Sequence, residues 1–120
     1  MAITRIDPGK RLSAGVALSD SAAGGLVFLS GQVADNGKAD VKGQTEEVLR
    51  KIDGLLAKAG TSKAKLLSAQ IFLSDIRNFA VMNQAWEAWM DPHNPPARAT
   101  VEARLANPEL LVEIMAVAAK

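Results

Sequence analysis

No cysteine occurs in this chain of 120 residues. Disulfides, thiolate catalysis and Cys-type metal sites are therefore excluded. Histidine is almost as scarce. His93 is the only one, and a single imidazole cannot build a zinc site alone. Aromatic residues make up 4% of the sequence and tyrosine is absent. Nucleic-acid binding wants stacking aromatics and a basic patch. Here the few aromatics fall in core-like positions, and Lys+Arg 14 against Asp+Glu 13 leaves a net charge of +1. That balance points to neither a nucleic acid nor an acidic membrane. No apolar run approaches the roughly 18 residues of a membrane span. The first residues carry Arg5, Asp7 and Lys10 and lack the apolar core of a signal peptide. Gly24-Gly25 and Ser30-Gly31-Gln32 do not form a phosphate-binding loop. The expectation is a cytoplasmic protein without metal or cofactor, nucleic-acid partner or membrane partner.

What is present is ordinary globular material, 48% apolar and 22% charged, of a length that suits one domain. Its most informative stretch begins at Pro95-Pro96. Two prolines deliver the chain into an extended run. There Ala99, Val101, Ala103 and Leu105 alternate with Arg98, Thr100, Glu102 and Arg104, the period of a half-exposed strand. The next run differs. Leu110, Val112, Ile114 and Ala116 make one apolar face; Leu111, Met115 and Val117 make the other, with Glu113 among them. A strand apolar on both faces is buried on both. A carboxylate there is costly unless paired or hydrogen-bonded. Glu113 is thus either a satisfied structural group or a carboxylate kept to orient water or take a proton. Arg98 is open in the same way. A lone strand arginine is commonly a solvated residue, yet behind a rigid lead-in its planar fork suits a substrate carboxylate.

The rest of the chain supplies a scaffold. A short strand is expected at 2–6, then a break at Pro8-Gly9. An edge strand follows near Leu12–Leu18, and Ser19–Gly25 reads as a loop. Leu26-Val27-Phe28-Leu29 leads a central strand in which Gly31 signals a bulge or a close backbone approach. Asp40 is a plausible N-cap. After it Val41, Thr45, Val48, Leu49, Ile52, Leu55, Leu56 and Ala59 recur at helical spacing up to the stop at Gly60. Gln44, Glu47, Arg50, Lys51 and Lys58 form the expected wet face. Leu66–Ser74 is the next strand, with Leu67, Ala69, Ile71 and Leu73 on one side. Asn78 opens a second helix whose Phe79, Met82, Trp86 and Trp89 share a core face. Strand–helix–strand–helix–strand–strand, after one or two short strands, predicts an α+β fold with both helices on one side of one sheet. The other side has no helix to cover it. Another copy of the same sheet is the simplest cover.

With these residues in hand, the sequence resembles the YjgF/YER057c/UK114 (RidA) family from about Leu12 to the C-terminus. The resemblance rests on Leu29-Ser30-Gly31-Gln32, the Gln44…Gly60 helix, Phe79…Asn83, Pro96-Ala97-Arg98 and Val112-Glu113-Ile114-Met115-Ala116. It implies one YjgF/RidA-like domain over residues 1–120, with the chorismate-mutase-like α+β fold. It also implies a homotrimer with ligand clefts between subunits. Characterised members deaminate reactive enamines and imines to 2-oxo acids, so a small 2-imino or 2-oxo acid is the implied ligand. Carried over by position, Arg98 would clamp the substrate carboxylate and Glu113 would hold the attacking water. Ser30 and Gly31 would line the pocket, and Asn83 and Pro96 would shape its wall. Thr100 stands where many members have Cys. A Gly-Pro-Tyr-Ser-Gln segment of the deaminase type is replaced by Arg11-Leu12-Ser13-Ala14-Gly15. The loop before Pro96 is shorter by about two residues on the same comparison. The runner-up implication is a non-catalytic trimer that binds a small carboxylate.

Overall fold

The computed structural model describes residues 2–20 and 24–120. The elements run β1 (Ala2–Pro8), β2 (Ser13–Asp20), β3 (Gly24–Gln32), α1 (Val41–Lys58), β4 (Leu66–Leu73), α2 (Phe79–Trp89), β5 (Ala97–Glu102) and β6 (Val112–Ala119). The strands form one sheet in the order β1-β2-β3-β6-β4-β5. Among the described strands only β4 and β5 run parallel. A parallel pair needs a crossover, and α2 supplies it. The result is the expected α+β fold, one mixed sheet with two helices on one face.

Helix α1 forms where its punctuation says it should. The Asp40 carboxylate accepts from Gly43 N at 2.8 Å, a cap worth about 1 kcal/mol. Gly60, at φ +81°, takes the left-handed turn that ends the helix. Val48, Leu49, Ile52 and Leu56 are buried against β3, β6 and α2. From α2, Met82, Ala85 and Trp86 enter the same layer. Beneath the helices lie Val27 and Leu29 of β3, Ala69, Ile71 and Leu73 of β4, and Val112, Ile114 and Ala116 of β6. Among the described residues no helix is long and apolar enough to cross a membrane.

Several sequence expectations are corrected. Gln44 belongs to the core, not the wet face: it is fully buried. Its amide donates to Ala39 O and Glu109 O and accepts from Leu111 N. Removing it would orphan three backbone groups, at about 1–3 kcal/mol each. Leu67 does not share the face of Ala69 and stays 47% exposed. A register shift between Leu66 and Ser68 turns it outward. Strand β2 is not an edge; β1 pairs with its free side. The alternation after Pro96 stops at Glu102, beyond which Ala103 N bonds to Leu73 O and the chain leaves the sheet. Asn78 occupies the N-cap position of α2 without a side-chain cap bond, and Phe79 is 43% exposed rather than core. The loop expected over 19–25 lies partly outside the described residues. Of its flanks, Ser19 and Asp20 belong to β2, and Gly24 opens β3.

Among the described residues no element covers the other face of the sheet. Register rows on it read Val16–Phe28–Val117 and Phe72–Glu113 with Val101 beyond. Phe28 is 46% and Val101 48% exposed. A row of large apolar side chains left in water marks an interaction face.

Candidate functional site

The residues singled out by sequence fall into two clusters. The first is on the helix-covered face at the edge of the sheet. Arg98 of β5 is in register with Ala69, which is in register with Ala116. Both alanines are buried under the helices, so Arg98 points toward α2. Its Nη1 donates to Asn83 Oδ1 at 2.6 Å. Its guanidinium lies 5.3 Å from the Trp86 ring centre and 5.8 Å from that of Phe79, within cation–π range. Phe79, Asn83 and Trp86 are spaced four and three residues apart and so form one stripe of α2. Burial pulls the Arg98 pKa below its usual value, offset in part by the Glu87 carboxylate. An arginine nonetheless stays charged. No carboxylate among the described residues forms an ion pair with it. Thr100, two residues on, shares its side of the strand, and the buried Thr100 Oγ1 has no hydrogen-bond partner among the described residues. Pro96 is half-buried at the entrance to β5.

The second cluster is on the open face. Between Leu29 and Gln32 the β3–β6 register slips, so Ser30 and Gly31 form the bulge that the glycine signalled. The slip brings the Gly31 backbone against Glu113, and a Cβ at Gly31 would collide with the Glu113 carboxylate. Glu113 is half-buried. No hydrogen bond or ion pair joins its carboxylate to another described side chain. Ser30 is held in place: its hydroxyl donates to Ala14 O and accepts from Gln32 Nε2, each at 3.2 Å.

The two clusters do not meet within one chain. Glu113 is in register with Phe72, and Phe72 with Val101. Arg98 is therefore two strands and three residues away, roughly 14 Å along the sheet at normal strand spacing and rise, and on its opposite face. Pocket geometry agrees. Arg98 borders a cavity with Ser68, Gln70 and Ala97; Ser30 and Gly31 border a separate one with the β1–β2 turn. No cluster of three metal-ligating side chains exists among the described residues. Trp86 is core as its period predicts, Phe79 is not, and the helical period does not show that both rings also form a platform for Arg98. An amide, Asn83, set between aromatics on one helical stripe was the available signal.

Comparison with known proteins gives these clusters a context. The family model described as Endoribonuclease L-PSP matches residues 3–120. A RutC family protein of Haemophilus influenzae is 46% identical over 119 residues, 98% of each chain. The RutC family protein YoaB of Escherichia coli is 42% identical over 119 residues, 99% of each. Among solved structures, NMB1025 of Neisseria meningitidis, described as a member of the YjgF protein family, superposes with a TM-score of 0.90 at 43% identity, covering 100% of this chain and 96% of that one. Rv2704 of Mycobacterium tuberculosis, described as a member of the YjgF/YER057c/UK114 family, gives 0.86 at 25% identity, covering 99% and 100%. With the fold, the whole length and these relatives in agreement, the chain belongs to the YjgF/YER057c/UK114 family.

Proposed function

We propose that the protein is a cytoplasmic homotrimer that hydrolyses small 2-imino acids to 2-oxo acids and ammonia, at clefts between subunits, without metal or cofactor. The observation that carries this reading is the state of Arg98. It is a partly desolvated guanidinium, stacked near two rings and tied to an amide, with no carboxylate of the described chain to pair with. A charge held this way is costly without a partner. A planar ligand carboxylate supplies two charge-assisted hydrogen bonds in matching geometry. The unpartnered Thr100 hydroxyl beside it offers a further donor to the same anion.

Chemistry needs the second cluster as well. An imine carbon is already electrophilic, so an oriented water and one base suffice. Glu113 takes a proton as the water oxygen bonds to C2 of the protonated imine, giving a carbinolamine. It returns that proton to nitrogen and then, a carboxylate again, takes the hydroxyl proton as the C–N bond breaks, so that ammonia leaves and the 2-oxo group forms. The exposed Gly31 backbone beside it leaves the ligand room to approach. Since one chain holds the halves apart, the cleft is formed where the open face of one subunit meets the Arg98 edge of the next. The apolar row Val16–Phe28–Val117 supplies the contact that brings them together. An RNA-cleaving role, which the family model's description would suggest, finds no support in an exposed lone His93 and a near-neutral charge.

Two experiments test this reading. Light scattering should give the mass of three chains, and Val117→Asp, which puts a charge into the apolar row, should give a folded monomer without activity. A stable parent monomer at micromolar concentration would remove the shared site. Coupling the protein to a threonine or serine dehydratase and timing 2-oxo acid release tests the chemistry. In that assay, and in titration with pyruvate, Arg98→Lys keeps the charge but loses the fork. It should weaken binding about tenfold to a hundredfold, the worth of one charge-assisted hydrogen bond. Unchanged affinity would show that Arg98 holds no ligand.

A further inference from the structure

The β1–β2 turn and the bulge of β3 border an open cavity of about 540 Å³, lined by Asp7, Lys10, Arg11, Leu12, Ser30 and Gly31 among others. Its charged residues are not equivalent. Asp7 is engaged: its Oδ2 lies 2.8 Å from Lys58 Nζ. Lys10 and Arg11 are exposed and form no ion pair with a described carboxylate. The turn that carries them is closed by Gly9 N donating to Leu12 O at 2.7 Å. A solvated turn tip is the ordinary place for such residues. These two differ in bordering the same cavity as Gly31, the residue against which the Glu113 carboxylate packs.

We propose that this cationic wall selects 2-imino acids that carry a second carboxylate on the side chain. The inference rests on the deaminase reading above. C2 of an imino acid is trigonal, so its carboxylate, nitrogen and side chain leave it in one plane toward three different corners. With C2 beside Glu113 and the α-carboxylate directed to Arg98 of the partner subunit, the side chain faces away from that arginine. It then meets the wall supplied by the subunit that carries Glu113, where Lys10 and Arg11 stand. A side-chain carboxylate gains charge-assisted hydrogen bonds there. An aliphatic side chain finds little apolar surface there, Leu12 and Ala14, beside two hydrated cations. Exposed pairs are individually weak, so the expected preference is on the order of tenfold.

Calorimetric titration of the intact protein with 2-oxoglutarate and with 2-oxobutanoate tests this. The dicarboxylate should bind on the order of tenfold tighter at low salt, and its advantage should shrink toward parity near ~0.5 M salt. Substituting both Lys10→Ala and Arg11→Ala should abolish the preference, and substituting both Lys10→Glu and Arg11→Glu should reverse it. Lys42→Ala, an exposed cation on α1, should leave the ratio as in the parent. Equal affinities in the parent, or a preference that survives the double substitution, would overturn the proposal. If 2-oxobutanoate binds in an Arg98-dependent way and the dicarboxylate gains nothing, selectivity alone fails. If neither acid binds, the deaminase reading falls with it.

Discussion

Replacing Glu113 by glutamine should slow imine hydrolysis by on the order of a hundredfold or more, the usual scale for a general acid–base group. The affinity for 2-oxo acids should stay close to that of the parent. The amide keeps the size of the carboxylate and its place beside Gly31, so the cleft keeps its shape. It cannot take a proton from water, and that is the step assigned to this side chain. The separation from Arg98 sharpens the expectation. A guanidinium that clamps the α-carboxylate acts on ground state and transition state alike and so on affinity, whereas a base acts only where the O–C bond forms. The coupled assay and calorimetry on the same preparation read the two effects apart. Parent-like turnover by Glu113→Gln would make Glu113 a structural carboxylate. The protein would then be a trimer that binds small carboxylates through Arg98 without consuming them.

Where the sequence was legible, local chemistry and global fold agreed. Helix α1 carries an N-cap at Asp40, an apolar period and a glycine stop, and all three act as they read. Gly31 inside a strand signalled a bulge, and the bulge is there. The misreadings in the core and at the site share a cause: a partner distant in sequence. Gln44 looks like any polar residue on a helix, and only residues 65 and 67 positions away make it a buried anchor. Leu67 fits a regular alternation until one extra residue turns it to the other face. The period of α2 shows that Phe79 and Trp86 share a side with Met82. It does not show that an arginine arriving from β5 will lie against their rings. The candidate site was legible as residue types and not as an arrangement. Arg98 and Glu113 stand out in their strands by chemistry alone. Their placement on opposite faces depends on the β6-β4-β5 order and on the parallel register of β4 with β5, neither of which a single sequence displays.

That opposition makes a second large effect: two inactive variants should restore activity when mixed. In a cyclic trimer each cleft would take Arg98 from one subunit and Glu113 from its neighbour. A subunit with Arg98→Ala still offers a sound Glu113 half, and a subunit with Glu113→Gln still offers a sound Arg98 half. Wherever they meet in the right order, one cleft is whole. Random reassociation of equal amounts would put one intact cleft in every mixed trimer, or roughly a quarter of all clefts. The mixture should therefore rise from about one hundredth of parent activity to about a quarter, after dissociation and refolding together but not after simple mixing of preformed trimers. Mixing Arg98→Ala with Asn83→Ala provides the control. Both substitutions damage the same half, so no cleft built from these two chains has an intact Arg98–Asn83 pair. Activity of the Arg98→Ala and Glu113→Gln mixture that stays at the mean of its components, with mixed trimers shown by mass, would mean that Arg98 and Glu113 do not serve one cleft. The wide separation seen within a single chain would then be the whole of their relationship.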